Sequence, residues 1–244
     1  ICGETGDPSF STYVYRLTLW DADGTNPRVV TGLEGVQGRC SALNASGTYV
    51  GVGFPDGSFA GFGFVGRNGS AARMEYPGFN IIRAFGVNDD DWVVGAHEPQ
   101  PGQRPRGYVA KAFGGEIRDL GLIDGYAGLL PYAINNDGWI VGAALGATTE
   151  LALIWRPGDA GPTDLNALVS IPGETRLVEA MDINDAGQIL ARGFGGYYIL
   201  TPVPEPAGVC VIGYWLLVTR RRPSVLGRRP SPAANPQKPV TSNQ

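Results

Sequence analysis

Residues 135–142 read NNDGWIVG, and related octapeptides occur three more times along this chain of 244 residues. The other copies are NASGTYVG at 44–51, NDDDWVVG at 88–95 and NDAGQILA at 184–191. They share the pattern Asn-x-x-Gly/Asp-x-φ-φ-Gly/Ala, where φ is an apolar or aromatic residue. Successive asparagines lie 44, 47 and 49 residues apart, and a period in this range is typical of repeated supersecondary units.

Each copy predicts a β-hairpin. The Asn at the first turn position can cap the turn with its side chain, and the Gly at the fourth accepts a positive φ, for which Asp91 is a tolerable substitute. The apolar pair after the turn continues as a strand. The closing Gly or Ala predicts close backbone packing against a neighbouring unit.

A second hairpin follows each of these turns. Ala112-Phe113 leads through two glycines to an Asp-Leu pair, and Ile154-Trp155 leads through Pro-Gly to another, while looser copies begin at Leu19 and Phe64. Two hairpins in each period give about four strands, the content of one propeller blade. No stretch shows sustained helical periodicity.

We therefore predict an all-β, β-propeller-like repeat domain of four-stranded units over residues 15–201. Four complete units run from Tyr15 to about Arg192, and a terminal strand at 196–200 matches the first strand of a fifth. We assign residues 1–14 to an N-terminal segment, 202–222 to a sorting segment and 223–244 to a disordered basic tail. The chain begins at Ile1 without an initiator Met or an apolar leader, so we expect a mature form or a fragment whose precursor carries a signal peptide. Because residues 1–14 do not supply the other strands of the unit that 196–200 begins, we also expect further repeat sequence before Ile1.

The segment 203–222 reads VPEPAGVCVIGYWLLVTRRR. Pro204 and Pro206 lack amide donors and restrict φ, so they hold the chain extended around Glu205. The apolar run 207–219 is followed by three arginines, which fits the positive-inside bias. As a helix this run spans about 20 Å, against roughly 30 Å of hydrocarbon, so we expect a transient membrane contact rather than a permanent span.

Composition supports export and argues against nucleic acid as a partner. No Asp or Glu follows Glu205, so residues 1–206 carry 13 basic and 23 acidic side chains, a net charge of −10. Binding to phosphates needs a basic patch instead. Cys210 lies in the apolar run, whereas Cys2 and Cys40 either form one disulfide in an oxidising compartment or remain buried thiols.

Two resemblances extend this interpretation. Pro-Glu-Pro, an apolar run and arginines in this order resemble the PEP-CTERM sorting signal of bacterial exported proteins, which an exosortase-type enzyme recognises and processes. The two alternating repeat elements over 15–200 resemble the HAF-type extracellular repeat family, whose Phe or Trp position falls on Trp20, Phe113 and Trp155, although its characteristic His is absent. Together they imply an exported, all-β, cell-surface or extracellular protein without catalytic residues to carry over. The sorting residues implied are Pro204, Glu205, Pro206, Arg220, Arg221 and Arg222.

Candidate catalytic groups are few. His97 is the single histidine, no G-x-S-x-G motif occurs, and no His/Cys cluster has zinc spacing, so we predict a non-enzymatic protein with His97 in a solvated loop. Asp119 and Asp164 occupy equivalent repeat positions, which predicts that they bind backbone amides at a turn. A secreted, carboxylate-dependent hydrolase acting on glycans is the alternative from another class.

Calcium is a further alternative, although we predict no cofactor. Asp21, Asp23 and Asn26 match the opening of a calcium loop, and residues 88–91 concentrate three carboxylates, but Gly32 stands where such a loop places Glu. Polar hairpin turns have the same composition, so the sequence favours turns while leaving a calcium-stabilised binding module open.

Trp92 and Trp139 are the candidate ligand contacts. They follow their turns at a position where the other copies have Thr48 and Gln188, which predicts a solvent-facing position. Exposed tryptophans either stack on sugar rings and partner proteins or cover a blade edge. The sequence therefore predicts a surface or matrix protein that binds proteins or extracellular polysaccharide.

Overall fold

Strands that alternate with Asn and Gly turns account for nearly all regular structure. The computed structural model describes residues 1–7, 14–169, 171, 176–202 and 216–221. Within them a single 3₁₀ turn, Leu165–Ala167, interrupts the strands. The strands are β1 (Cys2–Asp7), β2 (Val14–Leu19), β3 (Arg28–Val29), β4 (Val36–Leu43), β5 (Tyr49–Pro55), β6 (Phe62–Arg67), β7 (Ser70–Arg73), β8 (Ile81–Val87), β9 (Trp92–His97), β10 (Arg106–Lys111), β11 (Ile117–Asp119), β12 (Gly128–Ile134), β13 (Ile140–Leu145), β14 (Glu150–Trp155), β15 (Thr163–Asp164), β16 (Leu177–Ile183), β17 (Ile189–Gly193), β18 (Gly196–Pro202) and β19 (Leu216–Arg221).

These strands form five antiparallel sheets, numbered I to V in chain order. Sheet I contains β1–β3, and the other four are four-stranded: β4–β7, β8–β11, β12–β15 and β16–β19. Strands that are consecutive in the chain are neighbours in each sheet, as in an up-and-down propeller blade. The predicted all-β, propeller-like fold with four-stranded units is confirmed.

The units begin one hairpin later in the repeat than the sequence suggested. Each of sheets II to V starts with the strand that precedes its Asn turn. Residues 196–200, which we expected to open a fifth unit, belong to β18, the third strand of sheet V. Sheet V is completed by β19, which pairs Arg220 with Tyr198 and lies inside the predicted sorting segment.

Strand structure also begins earlier than the predicted domain boundary. Cys2–Asp7 pairs with Val14–Leu19, and Ile1 exchanges backbone hydrogen bonds with Trp20. No Asn turn marks this region, so the repeat pattern did not find it.

The apolar residues form one core between each pair of successive sheets. Tyr49 and Phe64 pack with Leu17 between sheets I and II, and Tyr108 packs with Val50 between sheets II and III. Leu129 lies between sheets III and IV, and Leu177 lies between sheets IV and V. All of these side chains except Leu17 are fully buried, and Leu17 is 4% exposed. Each sheet is therefore stabilised by apolar packing against the sheets that precede and follow it in the chain.

A β-bulge occurs in the first strand of sheets II to V, just before each Asn turn. The closing Gly of the repeat lies opposite that bulge in the next strand. A Cβ on Gly51, Gly95 or Gly142 would lie about 2 Å from a carbonyl oxygen of the first strand, at 1.9, 2.2 and 2.1 Å respectively. The prediction that these glycines pack against a neighbouring unit is therefore wrong, because the close approach is to the adjacent strand of the same sheet.

Cys2 and Cys40 form a disulfide, with their Cα atoms 6.0 Å apart. Cys2 belongs to β1 and Cys40 to β4. The bond thus joins sheet I to sheet II, which decides between the two alternatives that the sequence left open.

Candidate functional site

The repeated turns share one hydrogen-bonding scheme. In each turn the Asn side-chain oxygen accepts a hydrogen bond from the backbone N–H four residues later, at 2.8–2.9 Å. The fourth position has positive φ in every copy, at 81° for Gly47, 60° for Asp91, 77° for Gly138 and 71° for Gly187. The predicted turn chemistry is confirmed.

The same asparagines also connect successive sheets. The side-chain amide of Asn44 donates to the carbonyl of Asn88 at 2.8 Å, Asn88 donates to Asn135 at 3.1 Å, and Asn135 donates to Asn184 at 3.2 Å. We call this series the Asn ladder. It satisfies the buried amides of Asn44, Asn88 and Asn135, so the most repeated polar residue of the chain has a structural role.

The second turn position adds a parallel row of contacts. The amide N–H of Ala45 donates to Asp89, that of Asp89 to Asn136, and that of Asn136 to Asp185, at 2.8–2.9 Å. The carboxylate of Asp89, a candidate calcium ligand in the sequence, therefore accepts hydrogen bonds from the protein itself.

Asp91 binds three groups of sheet II. Arg67 donates to it at 2.5 Å, Thr48 at 2.7 Å and Asn44 at 2.9 Å. Burial opposes ionisation of Asp91, but the hydrogen bonds from Arg67, Thr48 and Asn44 outweigh it, so the pKa of this carboxyl is lowered. An ionised Asp91 is therefore part of the contact between sheets II and III.

A groove of about 400 Å³ lies between sheets III and IV, beside their Asn turns. Buried Val109, Ile134 and Ile140 line its floor, and half-buried Trp92 lines it as well. The exposed polar residues that line it are Asp90, Glu116, Arg118, Asn136 and Asp137. An aromatic ring surrounded by carboxylates, an amide and a guanidinium suits a polyhydroxylated ligand, which offers both apolar C–H faces and hydroxyl groups.

The two candidate tryptophans have different surroundings. Lys111 Nζ lies 4.3 Å from the centre of the Trp92 ring, which also lines the groove. Trp139 is half-buried against the core between sheets IV and V, with Arg156 Cζ 5.6 Å from its ring centre, and does not line this groove. Thr48, at the equivalent position, is fully buried, so the prediction that this position faces solvent is wrong for that copy.

His97 is buried, with 4% of its surface exposed, and the prediction of a solvated loop residue is therefore wrong. It ends β9, its Nε2 lies 3.0 Å from Asp119, and its ring lies 4.7 Å from that of Phe79. Arg106 contacts the same carboxylate at 3.1 Å. Burial opposes ionisation of Asp119, but hydrogen bonds from His97 and the Gly121 amide and the charge of Arg106 lower its pKa.

Asp119 and Asp164 bind turn amides, as the repeat positions predicted. Asp119 accepts from the N–H of Gly121 at 2.7 Å, and Asp164 accepts from that of Asn166 at 2.8 Å. The pairing of Asp119 with His97 had no sequence signal, because the two residues are 22 positions apart and belong to no motif.

The first candidate calcium site, at Asp21 and Asp23, is a turn held by hydrogen bonds between its own residues. Asp21 accepts hydrogen bonds from Arg28 and Asn26, each at 2.8 Å, and Asp23 accepts from Thr25. Across the part of the chain that the structure describes, no group of three or more His, Cys, Asp or Glu side chains has an arrangement that could hold a metal ion.

Most of the predicted sorting residues are not among those that the structure describes. Pro204, Glu205, Pro206 and Arg222 fall outside the described residues, and Arg220 and Arg221 are described only as part of β19. Residues 207–215 and 223–244 are also outside them. In the described ranges no helix is long and apolar enough to span a membrane.

Comparisons with known proteins find similar solved structures but no related sequence. No protein-family model matches the chain, and a search of curated protein sequences finds no match. Among solved structures, YCF48 from Cyanidioschyzon merolae is similar, with a TM-score of 0.47 and 15% sequence identity over 84% of this chain. The match spans 66% of that protein's length, just under two thirds. The fold assignment accordingly rests on the sheets described above.

Proposed function

We propose that this chain is an exported, non-enzymatic surface or matrix protein whose repeat domain binds an extracellular saccharide in the groove between sheets III and IV. The observation that carries this proposal is Trp92, half-buried at a groove of about 400 Å³ with carboxylate, amide and guanidinium groups around it. Sugar rings stack on indole faces, while their hydroxyl groups donate to carboxylates and accept from Arg and Asn.

Binding is favoured over hydrolysis by the exposure of the carboxylates. Asp90, Glu116 and Asp137 are all exposed. A glycosidase uses a pair of carboxyl groups, of which the general acid is held protonated by apolar surroundings. Exposed carboxylates act more simply as hydrogen-bond acceptors for hydroxyl groups.

Export is supported by two independent features. The order Pro204-Glu205-Pro206, apolar run, Arg220–Arg222 resembles that of exosortase substrates. The Cys2–Cys40 disulfide suits an oxidising compartment outside the cytoplasm. An exosortase-type enzyme is therefore the proposed processing partner, and the cell surface or extracellular matrix the proposed location.

A glycan array tests the binding proposal. The full chain should be used, because β19 completes sheet V from beyond residue 202. We expect binding to at least one saccharide class, with affinity reduced at least about tenfold by Trp92→Ala, or about 1.4 kcal/mol. Trp139→Ala is the matched control, because it changes the same repeat position outside the groove. Equal losses in both variants, or no saccharide bound, would contradict the proposal, and retention of a protein partner alone would redirect it to protein binding.

Processing is tested separately by mass spectrometry of the exported protein. In a bacterial host that has an exosortase-type enzyme, we expect cleavage near Pro204–Pro206 that is lost on Glu205→Ala. An unchanged mass with and without the enzyme would remove the sorting assignment, and would leave the saccharide proposal standing.

A further inference from the structure

Two grooves of the molecule lie at equivalent positions in the repeat. The groove between sheets III and IV has a counterpart of about 470 Å³ between sheets I and II, beside the turn that begins at Asn44. Both are lined by the glycine at the fourth turn position, Gly138 in one and Gly47 in the other, and by the hairpin that joins the third and fourth strands. The two grooves therefore share one framework, and their linings can be compared directly.

The two linings differ in charge. Asp90, Glu116 and Asp137 line the groove between sheets III and IV, together with Arg118. Three carboxylates against one guanidinium give this lining a net charge of −2. Among the described residues that line the other groove, Arg28 has the one charged side chain. The carboxylates thus belong to this one groove and are not a property of the groove position.

Two of the charged residues also depart from the repeat. In the strand register Arg118 of β11 corresponds to Thr163 of β15, so Glu116 corresponds to Gly161. Sheet IV forms its four strands with these uncharged residues, so the fold of a unit does not require charge at either position. Side chains that the repeat does not require are available to serve a ligand.

The three carboxylates of the groove have no partner within the described structure. Each is exposed, and among the described residues none of them accepts a hydrogen bond or forms an ion pair through its side chain. Of the other carboxylates whose side chains are described, only Glu75 and Asp124 are in the same state. The groove therefore concentrates negative charge that no protein group compensates at the place where a ligand would bind.

The indole ring of the groove already accepts an ammonium group. Lys111 Nζ lies 4.3 Å from the centre of the Trp92 ring, while it donates to the carbonyl of Asp90 at 2.8 Å. Indole faces attract cations through the quadrupole of the ring. Even with Lys111 counted, the carboxylates of the groove outnumber its cationic groups by three to two. Binding of a cation is therefore favoured, and binding of an anion is opposed.

Resting on the proposed function, we infer that the saccharide bound in this groove is cationic: a polymer of hexosamine units whose nitrogen is a free ammonium and not an acetamide. The ammonium groups donate to the carboxylates of Asp90, Glu116 and Asp137, and the apolar face of a sugar ring packs against Trp92. Hydrogen bonds between ionised groups are stronger than those between neutral groups, so this class is preferred over neutral saccharides. Saccharides that carry uronate or sulfate are disfavoured by like charge.

Two tetrasaccharides that differ at their nitrogen atoms test this inference. Tetramers of glucosamine and of N-acetylglucosamine share one backbone, and only the first carries ammonium groups at about pH 6, where exposed Asp and Glu are ionised. We expect the glucosamine tetramer to bind the full chain at least about tenfold more tightly in isothermal titration calorimetry. Its affinity should fall as salt is added, because the contacts join exposed charges.

The double variant Asp90→Asn/Glu116→Gln removes two carboxylates of the groove and keeps the size of both side chains. It should weaken binding of the glucosamine tetramer at least about fivefold, since each exposed charge contact contributes a factor of a few. Asp124→Asn/Glu75→Gln is the matched control. It changes the same residue types and the net charge by the same amount, at exposed carboxylates outside the groove, and should leave the affinity within about twofold of the wild type.

Three results would overturn the inference. They are equal affinity for the two tetramers, equal losses in the two double variants, and equally tight binding of tetralysine, in which no sugar ring contacts Trp92. If a neutral saccharide binds as tightly and its binding depends on Trp92, this inference fails and the saccharide proposal stands. If no saccharide binds, both fail.

Discussion

Sheet I and sheets II to V are joined to their neighbours by different means. Sheets II to V are connected by the Asn ladder, in which each turn uses its side chain for the turn and for the next sheet. Among the described residues of sheet I there is no such turn, and a disulfide from β1 to β4 connects this sheet to sheet II. The difference shows that neighbouring sheets of one repeat array can be joined by side-chain hydrogen bonds between turns or by a disulfide between strands.

The largest effect is expected from removing the covalent connection. A disulfide whose cysteines are 38 positions apart contributes about 2–4 kcal/mol to the unfolding free energy. We expect Cys2→Ser/Cys40→Ser to lower stability by that amount in urea denaturation, with loss of protection from hydrogen exchange concentrated in β1–β3. Cys210→Ser is the control and should change nothing. Uniform loss of protection across all sheets would contradict the separate role of sheet I.

Removing one hydrogen bond of the Asn ladder should lower the unfolding free energy by somewhat less than loss of the disulfide. Asn88 is 4% exposed, and its side chain accepts a hydrogen bond from the amide of Trp92 and donates one to the carbonyl of Asn135. We expect Asn88→Ala to lower the unfolding free energy by about 2–3 kcal/mol, because a buried carbonyl and amide lose partners.

Asn184 provides the matched control for that hydrogen bond. It is exposed and caps its own turn, and in the described structure it only accepts the ladder bond. Loss of the turn cap alone should cost about 1 kcal/mol. Equal costs at Asn88 and Asn184 would show that the ladder contributes little beyond the turns.

Low pH should weaken the contact between sheets II and III through Asp91. Its pKa is lower in the folded chain than its usual value of 3.8, so protonation favours unfolding. The contribution is complete above about pH 4 and is lost as the pH falls through the folded pKa. Asp91→Asn keeps the tolerance for positive φ but removes the charge, so it should lower the unfolding free energy by about 1–2 kcal/mol at pH 7 and by little once the pH is below the folded pKa of Asp91. A difference that is independent of pH would contradict this assignment.

Addition of calcium should have the smallest effect on stability. The carboxylates of Asp21, Asp23 and Asp89 accept hydrogen bonds from neighbouring protein groups. We therefore expect the same melting temperature with calcium and with EDTA. A clear rise with calcium would instead support the calcium-stabilised module.

The groove was only partly predictable. Trp92 was a candidate because its repeat equivalents are polar, but the carboxylates beside it come from its own turn, from the loop before β11 and from the next unit. Residues that far apart in sequence meet only after sheets III and IV pack. His97 and Asp119 met in the same way, and no local pattern marked their contact.

The sequence alone determined the hairpins, the four-stranded period and the turn chemistry of Asn44, Asn88, Asn135 and Asn184, because each depends on residues only a few positions apart. Only the tertiary structure decided which carbonyl each Asn amide reaches, that Cys2 pairs with Cys40, and that β19 completes sheet V. The partners in the ladder and in the disulfide lie tens of residues apart in the chain. β19 is separated from β18 by residues 203–215. Their meeting depends on how whole sheets stack, since burial of apolar side chains between sheets fixes the separation over which hydrogen bonds form.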